Sequence, residues 1–387
     1  MRVAVIGVGL YPFGRHDDVS AFAMGAAAVR HALRDAGLGW ADMQFAFGGS
    51  VGGVLNGERQ TAPDSLVSEL GLTGLPFANV SNGCATAGTA VAMAATSIAS
   101  GQYDIGIAMG FDKHPRGHFS LPAEYFGLPE WYAKEGLMLS TQYFALKATR
   151  YMYDHGISHS SLAKVAARAY ANAKQNDAAW RREGWTETDV ANSAMLSYPL
   201  RKLMFCGPNE GAGAVVLCRA DHASRYTTRP VFLRGIASRT RQLGTFEVFS
   251  PSLTPERNPS PVEEASAACF DQAGIGPGEV DVAQLQDTDA ASEIAFMAET
   301  GLVEHGEQEK LIQSGQTQLG GRLPINTDGG LIGNGEPIGA SGMRQMHEVV
   351  LQLRGDAGLR QVPGSPKVGL TQVHGAPGVS ACSLLST

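Results

Sequence analysis

The sequence predicts an α/β protein built from two similar halves. Short apolar strands alternate with Ala-rich helical stretches along the 387-residue chain, and the order of strand, helix, turn and second strand occurs twice. The interval between the two occurrences is far longer than a solenoid repeat, so we interpret it as a duplicated fold. Because strands that alternate with helices usually form parallel sheets covered on both faces, we expect mostly parallel sheets in stacked layers.

Each half begins with a short strand rich in β-branched and apolar residues. Val3–Gly7 opens the first half, and Val231–Gly235 opens the second half after a polar break. We therefore predict two domains, over residues 1–228 and 229–387.

An Ala-rich helix that ends at a glycine follows each opening strand, over residues 29–37 and 265–274. Glycine supplies the left-handed residue with which many helices end. A second apolar strand follows, at 42–47 in the first half and at 279–285 in the second. The two halves therefore carry the same elements in the same order.

Each half continues with a glycine-rich turn, a helix and a further strand. The turns lie at 82–84 and 339–342. The helices and strands after them are predicted over 85–100 and 105–109 in the first half, and over 343–353 and 367–373 in the second.

Residues 114–205, approximately, have no counterpart in the second half. This insert is rich in Tyr, Trp, His and Arg, and insertions between scaffold strands commonly carry binding surfaces. It is a candidate substrate lid. The alternative is that the insert only packs against the scaffold and binds nothing.

Charge and composition exclude several classes of protein. The formal charge is −7 and Lys and Arg are scattered, which disfavours a nucleic-acid partner. No apolar run is long enough for a membrane span, and the start resembles a buried strand rather than a signal peptide. The five cysteines are widely spaced, so we expect neither disulfides nor a bound metal, and we expect a cytoplasmic protein.

Cys84 is the first candidate for chemistry because it lies where an apolar strand meets a helix of small residues. The positive end of a helix lowers the pKa of a thiol, and its free N–H groups stabilise anions. The position therefore suits a nucleophile or an oxyanion site. The alternative is a small buried structural thiol.

Four segments of the chain resemble the thiolases. Residues 79–90 resemble the thiolase nucleophile loop, 326–330 followed by 335–342 resemble the glycine-rich loop, and 282–302 resemble the catalytic segment before it. Their order and spacing match along nearly the whole chain. Among the thiolases, the sequence most resembles the sterol-carrier-protein type, often called lipid-transfer proteins in actinobacteria.

The resemblance implies a thiolase fold of two five-layer α-β-α-β-α halves, a cysteine at a buried helix start, and a homodimer. It implies no permanently bound cofactor, with coenzyme A entering as part of the substrate. Some thiolase-like lipid-transfer proteins are aldolases that shorten sterol side chains as CoA esters. They work with a small CoA-binding partner built from a zinc ribbon and an oligonucleotide-binding fold, so such a partner is expected here.

The departures from the thiolase pattern replace imidazoles with carboxylates. The usual Gly-His-Pro reads Gly-Glu-Pro at 335–337, and the usual His-Asp-Cys-Phe reads Gln-Asp-Thr-Asp at 286–289. Near the C-terminus, the Cys or His-Asn of relatives reads His-Gly-Ala-Pro-Gly at 374–378. Both loop histidines are therefore absent.

This change disfavours covalent catalysis by Cys84. A Claisen-type thiolase needs a thiolate and a neighbouring imidazole that accepts its proton. A carboxylate at Glu336 instead raises the thiol pKa, and each pKa unit corresponds to about 1.4 kcal/mol.

A retro-aldol cleavage needs a base for the β-hydroxyl proton and an oxyanion site for the thioester enolate. N–H donors are available at Cys84 and in the turn from Gly375 to Gly378. The candidate acids and bases are Asp287, Asp289, Glu336 and His374. For coenzyme A we predict contacts from Arg201, Lys202, Gly339, Gly375 and Gly378.

Each candidate has a structural alternative. Glu336 could cap the following helix or pair with Arg344, and His374 could be a core histidine. Asp287 and Asp289 could be solvated carboxylates at a strand end. The basic residues could form an ordinary solvated surface.

Three functions follow from these observations. The favoured one is an aldol-type lyase that acts on a β-hydroxyacyl-CoA with a bulky hydrophobic acyl part, such as a steroid side chain. The second is an acyltransferase or thiolase that uses Cys84 covalently. The third is a non-catalytic acyl-CoA or lipid carrier.

Overall fold

A nine-stranded mixed sheet joins the two halves of the protein. The computed structural model describes residues 3–52, 62–117, 119, 122–247, 250–251, 258–376 and 378–387. The strands of the described residues are β1 (Val3–Gly14), β2 (Ala46–Gly49), β3 (Phe77–Val80), β4 (Ile105–Lys113), β5 (Met195–Ser197), β6 (Leu200–Arg201), β7 (Glu210–Arg219), β8 (Val231–Thr240), β9 (Phe246–Glu247), β10 (Ser250–Pro251), β11 (Val282–Gln284), β12 (Val368–Gly375) and β13 (Val379–Ser386).

The α-helices vary from one turn to four. In chain order, those of the described residues are α1 (Ala21–Asp35), α2 (Val67–Leu70), α3 (Thr86–Ala99), α4 (Trp131–Lys134), α5 (Thr141–His155), α6 (His159–Lys174), α7 (Glu187–Asn192), α8 (Pro261–Ala273), α9 (Ala290–Glu299), α10 (Glu307–Gln313), α11 (Gly330–Asn334) and α12 (Ser341–Arg354).

The strand order repeats in the two halves of the sheet. The full order is β11-β12-β13-β8-β1-β7-β4-β2-β3, so β1-β7-β4-β2 in the first half corresponds to β8-β13-β12-β11 in the second. A parallel bridge from Ala283 to Ile325 takes the place that β3 has beside β2. The topology therefore shows the duplication that the sequence predicts, and the predicted boundary at 228 and 229 lies between β7 and β8.

The prediction of mostly parallel sheets is wrong. Parallel pairing joins β2 to β3, β2 to β4 and β11 to β12, whereas the other neighbours in this sheet are antiparallel. The reason is that β7 returns between β1 and β4 and runs opposite to both, and β13 does the same between β8 and β12. The alternation of helices and strands in the sequence did not predict that β7 and β13 return antiparallel between their neighbours.

Helices cover the sheet in layers. On one face of β1, Ala4 and Ile6 pack with α1, and on the other face Val3 and Val5 pack with α3 and α12. Strands β8 and β13 also contribute to this middle core, and Cys382 on the opposite face of β13 packs with α8. The order is therefore α1, sheet, α3 with α12, sheet, α8, which matches the five-layer thiolase fold.

Glycines bring α1 close to β1. A Cβ at Gly7 would lie 2.3 Å from Ala32 O, and one at Gly9 would lie 2.2 Å from Ala28 O. Only glycine permits this approach of backbone to backbone. At the other end of the fold, Gly274 ends α8 in the left-handed conformation, as predicted.

The insert folds mainly as helices. Helices α5 and α6 pack against α9 of the second half, and α6 also packs against α11. The insert therefore covers the outer side of the segment 282–302, which leads to the candidate site. No helix in the described part of the chain is long and apolar enough to cross a membrane.

Candidate functional site

Cys84 lies in a tight turn immediately before α3. Gly83 adopts φ +55°, and Thr86 Oγ1 donates to Gly83 O across 2.6 Å, which fixes the turn. The Cys84 side chain is only 7% exposed. The thiol is therefore held at a helix start inside the protein.

The end of β12 packs directly on this turn. A Cβ at Gly375 would lie 3.2 Å from both Asn82 O and Cys84 N, so the glycine permits the approach. The next residue, Ala376, directs its backbone N–H to the Cys84 sulfur. One predicted N–H donor of the 375–378 turn is thus aimed at the reactive position.

Glu336 lies between two thiols and is 1% exposed. Its Oε2 accepts from Cys206 Sγ across 3.2 Å, and its Oε1 accepts from Gln286 Nε2 across 2.9 Å. Its charge and a hydrogen bond also act on Cys84. Both oxygens of Glu336 therefore act as hydrogen-bond acceptors.

The structural alternatives for Glu336 do not apply. Arg344 forms its ion pair with Asp328 and also donates to Gln284 Oε1. The Glu336 N–H donates to Gly207 O across 2.9 Å, so the backbone of the glycine-rich loop is bound to the segment that carries Cys206. This pairing positions the carboxylate beside the thiols.

Both thiols of this pocket have raised pKa values. Burial raises the pKa of Cys84 well above its usual value, Glu336 raises it further, and the Ala376 N–H lowers it. Burial and Glu336 raise the pKa of Cys206 in the same way. The pKa of Cys84 is therefore raised by the carboxylate at Glu336, in the direction expected from the sequence.

Asp287 and Asp289 cap helices instead of facing the pocket as free carboxylates. Asp287 accepts from Leu331 N (2.6 Å) and Ile332 N (3.1 Å) at the start of α11. Asp289 is the N-cap of α9 and accepts from Ala291 N (2.8 Å) and from Ser292 N (3.0 Å). Both carboxylates therefore have a structural role, and their predicted catalytic role stays a prediction.

Asp289 also carries an unusual pKa. Burial raises it to about 6, and the hydrogen bonds from Ser292 and Ala291 oppose the rise. Burial likewise raises the pKa of Asp287 well above its usual value.

His374 belongs to a second polar group, outside the thiol pocket. Its Nε2 contacts Glu247 Oε2 at 3.2 Å, and the Lys147 ammonium lies 3.7 Å from the same oxygen. Burial raises the pKa of Glu247, but Lys147 and His374 outweigh it and the net pKa is lowered. Within the described part of the chain, His374 Nδ1 is buried and has no hydrogen-bond partner.

A cleft lies between α5 and α9 and reaches the end of β12. Its polar lining is Lys147, Ser292, Glu299 and His374. Its apolar lining is Tyr143, Phe144, Ala148, Tyr151, Ala291, Ala295, Phe296 and Ala376.

Ala376 connects the cleft to the thiol pocket. Its side chain lines the cleft, and its N–H points to Cys84. Successive side chains of a strand point to opposite faces, so His374 faces the cleft while Gly375 faces the Cys84 turn. The two spaces therefore meet around the end of β12.

Gly339 does not offer a free N–H to a ligand. That N–H donates to Asp112 Oδ2 across 2.6 Å, and a Cβ at this position would lie 3.0 Å from Gly49 O. This N–H is therefore engaged within the protein, and the predicted contact of Gly339 with coenzyme A stays a prediction. Near it, Ile338 N donates to His114 Nε2 across 3.2 Å.

The other predicted CoA contacts stay predictions. Arg201 donates to Ser193 O across 2.7 Å, and Lys202 is exposed. Gly378 takes φ +87° in the turn between β12 and β13 and donates to Gly375 O across 2.8 Å. Pro377 of this turn lies outside the described residues.

Sequence reasoning missed four residues of the site. Cys206, Glu247 and Lys147 lie outside the resembling loops, and Gln286 was noted only as a departure from the family motif. The aromatic residues of the insert were the available signal for the cleft, because Tyr143 and Phe144 form part of its wall.

Both halves of the chain match thiolase family models. The thiolase N-terminal domain matches residues 3–183, and the thiolase C-terminal domain-like family matches residues 251–386.

Proteins of known function are similar over nearly the whole length. An acetyl-CoA acetyltransferase of Methanothermobacter thermautotrophicus is 34% identical, with 99% of each chain covered. The benzoylsuccinyl-CoA thiolase subunit BbsB of Thauera aromatica is 29% identical over 97% of this chain and 94% of that protein. Human sterol carrier protein 2 is 28% identical over 99% of this chain and 71% of its own length.

Solved structures share the fold. The Ltp2-ChsH2(DUF35) aldolase superposes with a TM-score of 0.86 at 24% identity, covering 100% of this chain and 98% of that one. A monomeric SCP2-thiolase-like protein type 1 from Mycobacterium smegmatis gives 0.73 at 18% identity, with coverage of 100% and 77%.

Proposed function

Because this chain belongs to the thiolase superfamily, we propose that it is a carbon–carbon lyase that cleaves a β-hydroxyacyl-CoA by a retro-aldol reaction. The observation that carries the proposal is the Glu336 carboxylate, which occupies the thiol pocket where the thiolase pattern has an imidazole. A carboxylate there opposes thiolate formation and supplies a base. The similarity to sterol carrier protein 2 supports the sterol-carrier subgroup.

Glu336 is the proposed base. It takes the proton of the substrate's β-hydroxyl group, the Cα–Cβ bond breaks, and the β-carbon leaves as a ketone or aldehyde. The electron pair of the broken bond passes to the thioester, which becomes an enolate. Protonation of the enolate carbon by the Glu336 carboxyl then gives the shortened acyl-CoA and regenerates the carboxylate.

The N–H of Ala376 is the proposed donor to the enolate oxygen, together with the backbone at Cys84. A preorganised N–H donor in a water-poor pocket stabilises developing negative charge, and removal of one such donor typically costs about 100-fold or more in rate. The Ala376 N–H is close enough to the buried Cys84 sulfur to lower the pKa of that thiol, which supports this role.

The acyl part is proposed to be bulky and hydrophobic, such as a steroid side chain, because the adjoining cleft is lined mainly by aromatic and alanine side chains. We further propose a homodimer and a small zinc-ribbon and oligonucleotide-fold partner that binds the acyl-CoA. The similarity to a protein named as a thiolase subunit supports a partner subunit.

An acyltransferase that uses Cys84 covalently is the second candidate. The 34% identity to an acetyl-CoA acetyltransferase favours it, and the raised pKa of Cys84 opposes it. Treatment with acetyl-CoA followed by mass spectrometry separates the two, because only this candidate leaves an acetyl group on Cys84. A carrier, the third candidate, would bind CoA esters without turnover.

The decisive experiment supplies the purified protein with a β-hydroxyacyl-CoA whose β-carbon is tertiary. Such a substrate cannot be oxidised to the β-keto ester that a thiolase cleaves. Mass spectrometry should detect a ketone and a shortened acyl-CoA with the natural sequence, and no products with Glu336→Gln. Glu304→Gln, an exposed glutamate changed in the same way, is the matched control. Acetylated Cys84 without cleavage would overturn the proposal.

A further inference from the structure

We propose that Arg181, which lies in the insert between α6 and α7, is a positioning residue for Glu336. Its guanidinium group joins the two backbone segments that fix the place of the Glu336 carboxylate. The inference rests on the proposed function in one respect, that Glu336 is the base. It adds a residue outside the thiolase-like loops on which that base depends.

The Arg181 side chain contacts two segments that are far apart in the chain. Its Nη1 donates to Phe205 O across 2.9 Å and to Ile332 O across 3.1 Å. The backbone N–H of Arg181 also donates to Gly333 O across 2.8 Å. A single residue therefore links the end of the insert to α11.

Both linked segments hold Glu336. In the first segment, the Cys206 thiol donates to Glu336 Oε2 across 3.2 Å, and Gly207 O accepts from Glu336 N across 2.9 Å. On the other side, α11 ends two residues before Glu336. A change in the distance between these segments would therefore move the carboxylate relative to the Cys84 turn.

Packing holds the guanidinium group as well as hydrogen bonds do. Its central carbon lies 4.7 Å from the centroid of the Trp180 ring, which is a cation–π contact. A Cβ at Gly207 would lie 2.6 Å from Arg181 Nη2, so only the absence of a side chain there permits the contact. Arg15 Nη2 donates to Pro208 O and holds the same segment. These contacts fit a planar guanidinium group, and a lysine ammonium would not reproduce them.

The charge of Arg181 also reaches the thiol pocket. Arg181 lowers the pKa of Cys206, whereas burial and Glu336 raise it. The positive charge therefore acts on a thiol that is hydrogen-bonded to Glu336.

The test follows the reactivity of Cys84 and needs no substrate. Glu336 raises the pKa of Cys84, so displacement of the carboxylate should make this thiol more reactive. Arg181→Met should therefore speed alkylation of Cys84 by iodoacetamide at about pH 8 by about threefold or more, which corresponds to about half a pKa unit. Mass spectrometry locates the modified residue. Arg182→Met, at the neighbouring exposed arginine, is the matched control and should leave the rate unchanged.

A second background separates positioning from a general loosening of the fold. When Glu336 is already replaced by glutamine, Arg181→Met should no longer change the rate of Cys84 alkylation, because the charge that it displaces is gone. Equal acceleration in both backgrounds would mean that the substitution only opens the protein. No acceleration in either background would mean that Arg181 does not position Glu336. Each of these two results overturns the inference.

Gly207→Ala provides a second variant in which Arg181 is retained. The added methyl group would displace the guanidinium group and should reproduce the faster alkylation of Cys84. This variant keeps the inference testable if Arg181→Met does not fold. An unchanged rate in Gly207→Ala would contradict the inference.

Kinetics on the tertiary β-hydroxyacyl-CoA separates the inference from the proposed function. Arg181→Met should lower kcat by about 10-fold or more with little change in KM, since misplacement of a catalytic group by about 1 Å can cost about 100-fold. A raised KM with an unchanged kcat would mean that Arg181 binds the substrate instead, and would overturn the inference. Failure of the natural protein to cleave the ester would count against the lyase reaction, while the alkylation rates would still decide the role of Arg181.

Discussion

The Cys206 thiol donates a hydrogen bond to Glu336 Oε2 across 3.2 Å, although the two residues are 130 positions apart in the chain. The bond is buried and joins the end of the insert to the glycine-rich loop. Glu336 is thereby held beside Cys84, where it acts on that thiol. The first prediction follows from this contact.

Cys206→Ala should lower kcat by about 10-fold, because a hydrogen bond to a charged group is worth about 1.5 kcal/mol and that amount corresponds to about tenfold in rate. Cys206→Ser keeps a donor and should recover most of the activity. Steady-state kinetics checks both variants. If alanine and serine behave alike, the thiol does not position Glu336.

Glu336→His should make Cys84 more reactive. Glu336 raises the pKa of Cys84, second only to burial, so removal of its negative charge lowers that pKa and increases the thiolate fraction at a given pH. Alkylation by iodoacetamide, located by mass spectrometry, should be faster at Cys84 in the variant across pH 7–9. Equal rates in the two proteins would show that the carboxylate does not control the thiol.

Glu336 and His374 can be ranked as bases by parallel substitution. Glu336→Gln should lower kcat by at least about 100-fold, which is the lower range for loss of a general base. His374→Gln should cost less than about 10-fold, since its Nε2 is engaged with Glu247 and its side chain faces the cleft. The opposite order would assign the base to His374, whose Nδ1 would then be the acceptor.

Asp289→Asn should change how stability depends on pH. Asparagine is a good N-cap, so the cap on α9 is kept while the titrating group is removed. Burial raises the pKa of Asp289 to about 6 in the folded protein. A raised folded pKa means that the group stabilises the fold below the unfolded pKa near 4 and that this contribution is lost as pH rises through about 6.

The natural protein should therefore lose stability relative to Asp289→Asn, on the order of 2 kcal/mol, between pH 4 and pH 7. Urea unfolding of both proteins across this range measures the difference. A difference that does not change with pH would show that Asp289 titrates normally. Asp271→Asn, a change at an exposed position of α8, controls for the substitution itself.

The sequence predicted the local order of the elements better than their pairing. Strand β1, helix α8 and its stop at Gly274 were predictable, because short apolar strands and left-handed glycines are local signals. The antiparallel strands β7 and β13 were not predicted, since they follow no helix in the strand–helix pattern. Their pairing depends on contacts with strands far away in the chain.

The candidate site was predictable where it lies in resembling loops. Cys84, Glu336 and Gly375 come together as the loop positions implied. The helix-capping hydrogen bonds of Asp287 and Asp289 were not predicted, because a carboxylate that caps a helix and one that acts as a base look the same in a sequence.

The middle layer of α3 and α12 has a consequence for the origin of the protein. These helices bury their apolar faces against strands of both halves and against each other, and β1 pairs with β8 at the junction. A half-length ancestor would have left one side of its helix uncovered and would have needed a second copy of itself to fold.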